Sequence, residues 1–159
     1  MHVVRGLETV PMAYVRLTDP FTGSDLVSAM QTLRDGCVSG LSLDVPLFID
    51  ASRITTGPMN SAEINRMVLQ RPAMEDVPAN RPVAVVVPDV RFMVMLRLYG
   101  VMAHMSGLRE ERRQFTTLRT AEAAGWMADQ LGLDAKSAGQ FRIEIADAVS
   151  ADVLVRRRG

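Results

Sequence analysis

Oxygen-bearing side chains gather at one place in this 159-residue sequence where chemistry would be looked for first. Asp50, Ser52, Thr55 and Thr56 follow directly on the apolar run Val45-Pro-Leu-Phe-Ile. A run of that kind reads as a strand, and open α/β sheets bind ligands at the carboxyl ends of their strands. A hydroxyl becomes a nucleophile only beside a base, and a phosphate needs a cradle of backbone amides or cations. No histidine and no glycine-rich turn accompanies these residues, and each can instead bond its own loop backbone. Asn60 extends the group. With Glu63 three residues on, it has the spacing of a capping box, in which each side chain satisfies an amide of the other. Asp50, Ser52, Thr55, Thr56 and Asn60 therefore make a candidate polar loop site, with helix capping as the structural role of Asn60.

Metal and redox chemistry find less. His2 lies at a mobile end of the chain. His104 has no acidic or sulfur ligand at four-residue spacing, so the two cannot build a metal site. Cys37 is the only cysteine, which excludes an intramolecular disulfide and fits a reducing compartment. It follows Gly36 without a neighbouring base and reads as a small buried residue. No cofactor is implied, and no catalytic constellation is expected.

The elements that position these residues follow from apolar patterning. Pro82-Val-Ala-Val-Val-Val-Pro88 places five small or β-branched residues between two prolines, the pattern of a strand buried on both faces. Such a strand needs helices on both sides. Asp89 caps a helix running to about Met105. Its Phe92, Met95, Leu96, Tyr99 and Met102 or Ala103 form a stripe for the sheet. Met93, Val94, Leu98, Val101 and Met105 are left largely on the other side, as a candidate interface or apolar-ligand face. Three covers suit it: the chain's own tail, a second copy, or an apolar small molecule. Arg97 must reach the rim of that face or meet a carboxylate.

Upstream, residues 2–5 and 12–18 read as the strands of a hairpin, the second alternating Met12, Tyr14, Arg16 and Thr18 against Ala13, Val15 and Leu17. Thr22 and Asp25 start a helix over about 23–35 with Leu26, Ala29, Met30 and Leu33 on one face, closed by Gly36. A helix over about 61–70 follows the polar loop. Downstream, Arg113–Thr117 is a strand with Phe115 inward. Residues 119–131 form a helix with Ala123, Trp126, Met127 and Gln130 along one side. Phe141, Ile145 and Val149 would line a further helix packing back on the domain, although Phe141 to Ile145 also alternates like a strand. The expected fold is layered α/β, with a mostly parallel four- to five-stranded sheet flanked by about four helices. The main domain would cover residues 1–132, and residues 133–159 an extension ending in the basic tail Arg156-Arg157-Arg158.

Eighteen basic and eighteen acidic residues cancel, so no overall field favours nucleic acid. The start of the chain lacks the features of a secretory leader. The apolar stretch from Phe92 to Met105 is shorter than the ~20 residues a bilayer span needs. A cytoplasmic protein without stable membrane insertion is expected.

The order of elements carries a resemblance. The strand ending in Asp50, Arg81-Pro-Val-Ala-Val-Val-Val87, the next helix with Met95 and Arg97, then Phe115 and Ala123-x-x-Trp126, resemble the SpoIIAA-like branch of the STAS superfamily over roughly residues 2–132. Val94 stands where that family often has glycine. The resemblance implies a non-catalytic regulatory or protein-interaction module. In anti-anti-sigma relatives a serine at the start of the helix after the strand–loop segment is phosphorylated and switches binding to a partner kinase. Pro58-Met-Asn-Ser-Ala-Glu-Ile64 resembles that segment and makes Ser61 the candidate phosphoacceptor. A phosphate there would meet free amides and the positive end of the helix dipole. The rival function is a binding protein for a small apolar ligand or lipid.

Overall fold

The computed structural model describes residues 2–36, 41, 44–55, 60, 62–63, 65, 81–105 and 113–155, without the side chains of 103–104 and 152–155. Its strands are β1 (His2–Gly6), β2 (Ala13–Leu17), β3 (Leu47–Asp50), β4 (Val83–Val86) and β5 (Gln114–Thr117). The long helices are α1 (Gly23–Arg34), α2 (Val90–Met105), α3 (Thr120–Gln130) and α4 (Ala135–Val155). Residues 62, 63 and 65 are also helical.

The strands lie in sequence order, β1-β2-β3-β4-β5. β1 and β2 form an antiparallel hairpin, and every pair from β2 to β5 is parallel. The expected mostly parallel α/β sheet is thus a mixed sheet of five strands. This order dictates the layering. Parallel crossovers are right-handed, and crossovers that keep stepping in one direction put their helices on one face. α1 and α2 accordingly share a core with Ala13, Val15, Leu17, Leu47, Ile49, Val83, Val85 and Val87. Register explains the shared face, since Ala13, Leu47 and Val83 lie in one row across the sheet and Val15, Ile49 and Val85 in another.

The opposite face, carrying Met12, Tyr14, Phe48, Ala84 and Val86, has no crossover helix among the described residues and is covered only after β5. There the chain turns back and lays α3 and α4 across it, through Ala123, Ala124, Met127 and Ala128, then Phe141, Ile145 and Ala148. Residues 135–155 are therefore helix, and their Phe141, Ile145 and Ala148 belong to the core of the second face.

Several local signals act as their chemistry requires. Asp89 accepts the Arg91 and Phe92 amides at 2.8 and 3.1 Å, capping α2. The Thr22 amide and hydroxyl both donate to Asp25, at 2.8 and 3.1 Å. Gly36 and Gly132 follow α1 and α3 at φ +66° and +63°, a region where a side chain is strained.

Three expectations need correction. The buried stripe of α3 is Ala123, Ala124, Met127 and Ala128, not one through Trp126 and Gln130. Small alanines let the helix approach the sheet, and Trp126 swings to the rim to stack on Phe115 at 5.4 Å. Phe115 is half-buried, and the buried residue of β5 is Thr117. His2 opens β1 opposite Leu17, with Nδ1 3.9 Å from Asp25.

Candidate functional site

Among the described polar loop residues, Asp50 and Ser52 bond each other, while Thr55 and Asn60 bond elsewhere. Asp50 ends β3, buried to 1% exposure. Its Oδ1 accepts the Ser52 amide at 3.0 Å and the Ser52 hydroxyl at 2.6 Å, a local turn that consumes the serine. Thr55 points away, its amide donating to Asp19 at 2.7 Å and its hydroxyl to the same carboxylate. Asn60 and Glu63 close the expected capping box, each amide donating to the other's side chain at 3.0 Å. Thr56, Ser61 and Cys37 lie outside the described residues, as does the His104 side chain. Among the described residues no three His, Cys, Asp or Glu side chains gather as metal ligands.

Beneath the loop Asp50 joins a polar cluster whose other members, Arg16 and Tyr14, the sequence did not single out. Arg16 on β2 and Asp50 on β3 are partners in register, so both project onto the face that α4 covers. Arg16 is 3% exposed, and its Nε lies 3.6 Å from Asp50 Oδ2. The Tyr14 hydroxyl donates to that same oxygen at 2.7 Å and accepts from Arg16 Nη2 at 3.0 Å. Burial, and then the Asp50 charge, push the Tyr14 phenol above its ordinary value against a weaker pull from Arg16, so it remains a donor. Arg16 Nη2 also donates to the Ala148 carbonyl of α4, and Arg53 from the β3 loop donates to the next one, Val149. Arg5 covers the Tyr14 ring at 5.1 Å. Every partner of Asp50 here is a donor, which satisfies a buried carboxylate. The arrangement fastens α4 to the sheet.

A second fastening sits at the other end of the sheet. Glu144 on α4 accepts the Glu8 and Thr9 amides of the β1–β2 turn, the latter at 3.0 Å. Burial alone would raise this carboxyl. Bonds from the Thr9 hydroxyl and the two amides, with the Arg5 charge, outweigh it and hold the group below the usual carboxylate value. Stability from a depressed carboxylate is fully present above its unfolded value, about 4.3, and is lost as pH falls through the lower folded value. Glu144→Gln is therefore expected to melt below wild type at neutral pH, and the gap in Tm is expected to close as the pH is taken below about 4. Melting curves across that range check it.

The candidate interface is on α2, on the far side of the sheet. Phe92 and Met95 are buried against the core, with Leu96, Tyr99 and Met102 packed beside them. Met93 joins that side, half-buried, and so leaves the set expected to face outward. Val94, Leu98, Val101 and Met105 remain 57, 44, 56 and 80% exposed. Arg97 is exposed as well, beside them. The described part of the tail is not their cover, because α4 packs on the opposite face. No helix among the described residues is long and apolar enough to cross a membrane.

Comparison of the chain with models of known protein families, with curated proteins and with solved structures found no match.

Proposed function

We propose that this chain is a non-catalytic interaction module of the STAS type, SpoIIAA-like, which docks a protein through the outer side of α2. The observation that carries the reading is the row Val94, Leu98, Val101 and Met105, apolar and exposed along about three turns of a helix whose other side is anchored in the core. Single exposed apolar residues need no explanation, but a contiguous row on a rigid element is the pattern of an interaction surface. The hairpin followed by sequential parallel strands, with the Asn60–Glu63 cap after β3, supports the STAS-like part of the reading. In that reading Ser61, next to the cap, is the phosphorylated switch, and the module works in the cytoplasm.

Leu98→Glu with Val101→Glu tests the surface. Both side chains are exposed, so folding stability is expected to change by no more than about 0.5 kcal/mol per site. Binding of amphipathic helices, or of a second copy, is expected to disappear. Calorimetry with helical peptides and light scattering on the wild type read the two occupants separately. A wild type that binds neither ends the proposal, and an apolar molecule retained in native mass spectrometry would move the function to the carrier class. Ser61→Asp is expected to weaken or strengthen partner binding severalfold, and unchanged affinity removes the switch.

A further inference from the structure

The exposed side chains of α2 are unusual in kind. Among the described residues they are Val90, Arg91, Val94, Arg97, Leu98, Val101 and Met105, so each is either apolar or an arginine. α2 carries no carboxylate anywhere from Val90 to Met105. Arg91 is already held by Asp89 just before the helix, at 2.6 and 2.9 Å. Arg97 makes no ion pair with a described residue and borders the row next to Leu98. The row itself steps by four, three and four residues, from Val94 to Leu98, Val101 and Met105. That is the spacing with which one helix packs along another, apolar residues in the seam and charges beside it.

From these observations we infer that the seat on α2 is built for an amphipathic helix of another protein, with carboxylates flanking its apolar row. This rests on the docking reading above and adds the chemistry of the partner. A second copy is the poorer occupant. An antiparallel pair centred on Leu98 sets Arg97 against its own counterpart, and a parallel pair gives it no acid, since α2 has none to offer. An anionic membrane would also attract the arginines. A helix lying on lipid, however, presents a wide apolar face with aromatic residues at the headgroups. Here the outward row is narrow, and Phe92 and Tyr99 are turned to the core. A carboxylate at the flanking position of a partner helix answers Arg97 directly, and charges so placed select partners more than they add affinity.

Two designed helical peptides test this on the intact chain, identical in their leucine seam and differing only in glutamate or lysine at the flanking positions. The glutamate peptide is expected to bind at least tenfold more tightly by calorimetry, with the preference fading as salt is raised. Arg97→Glu is expected to reverse the order of the two peptides while leaving the melting temperature unchanged. Equal affinity for both peptides, abolished by Leu98→Glu, would overturn the acidic partner and keep the docking surface. Loss of both, with a dimer mass in light scattering, would give the seat to a second copy. Flotation with phosphatidylserine vesicles in the absence of peptide binding would give it to a membrane.

Discussion

Arg16→Ala is expected to remove about 3–5 kcal/mol of folding stability, the cost of leaving one member of a buried ion pair without the other. Domains of this kind have only about 5–15 kcal/mol in total, so the variant should unfold at far lower urea than wild type. The large value follows from what remains. Asp50 would stay at 1% exposure with Tyr14 and Ser52 as its remaining donors among the described residues, and the Ala148 carbonyl would lose the guanidinium that reaches it. Replacing both ions by apolar residues of similar volume, Arg16→Met with Asp50→Leu, is expected to recover most of the loss, because neither ion is then left buried without the other. The single tryptophan, Trp126, is stacked on Phe115 and reports unfolding by fluorescence. If Arg16→Ala unfolds within about 0.5 kcal/mol of wild type, the pair is not the buried fastening described above.

Phe141→Ala carries the second large effect, about 3–5 kcal/mol. Phe141 is fully buried between α4 and the face that carries Met12, Tyr14 and Phe48. Removing the ring leaves a cavity that the surrounding alanines of α3 are too small to fill. Ile143, two residues along the same helix, is exposed, and Ile143→Ala is expected to cost no more than about 0.5 kcal/mol. The contrast separates packing from helix propensity, since both variants gain the same helix-favouring residue. Equal effects at the two positions would mean that α4 does not seal the second face.

What could be read from the sequence was whatever depended on near neighbours. The β-branched run from Val83 to Val87 needed only its own composition to declare a doubly buried strand. Asp89 needed only the helix it precedes. The two valines of β1 and the alternation in β2 sufficed for the hairpin. Arg16 was different. Met12, Tyr14, Arg16 and Thr18 look like the wetter side of a strand until α4, over a hundred residues later, returns to cover them. No local pattern encodes that cover. Trp126 misled for a related reason, since its size suggested the core whereas the buried stripe there is Ala123, Ala124, Met127 and Ala128. On α2 the division into two sides was legible from spacing, except at Met93, which lies on the boundary and turned inward. The polar loop was legible in composition but not in outcome. Asp50 bonds its own loop, through the Ser52 amide, as its composition allowed, whereas Thr55 bonds Asp19, far away in the chain.

The order in which the strands are laid down has a consequence for synthesis. Because the parallel crossovers keep stepping the same way, a nascent chain that has made all five strands still shows one greasy face, with Phe48 and Val86 uncovered. The 21 residues of α4 are complete only after that, roughly two to eight seconds later at ordinary elongation rates. During that interval the half-finished sheet is a target for chaperones and for aggregation. A pause in translation between Thr117 and Ala135 would lengthen the exposure.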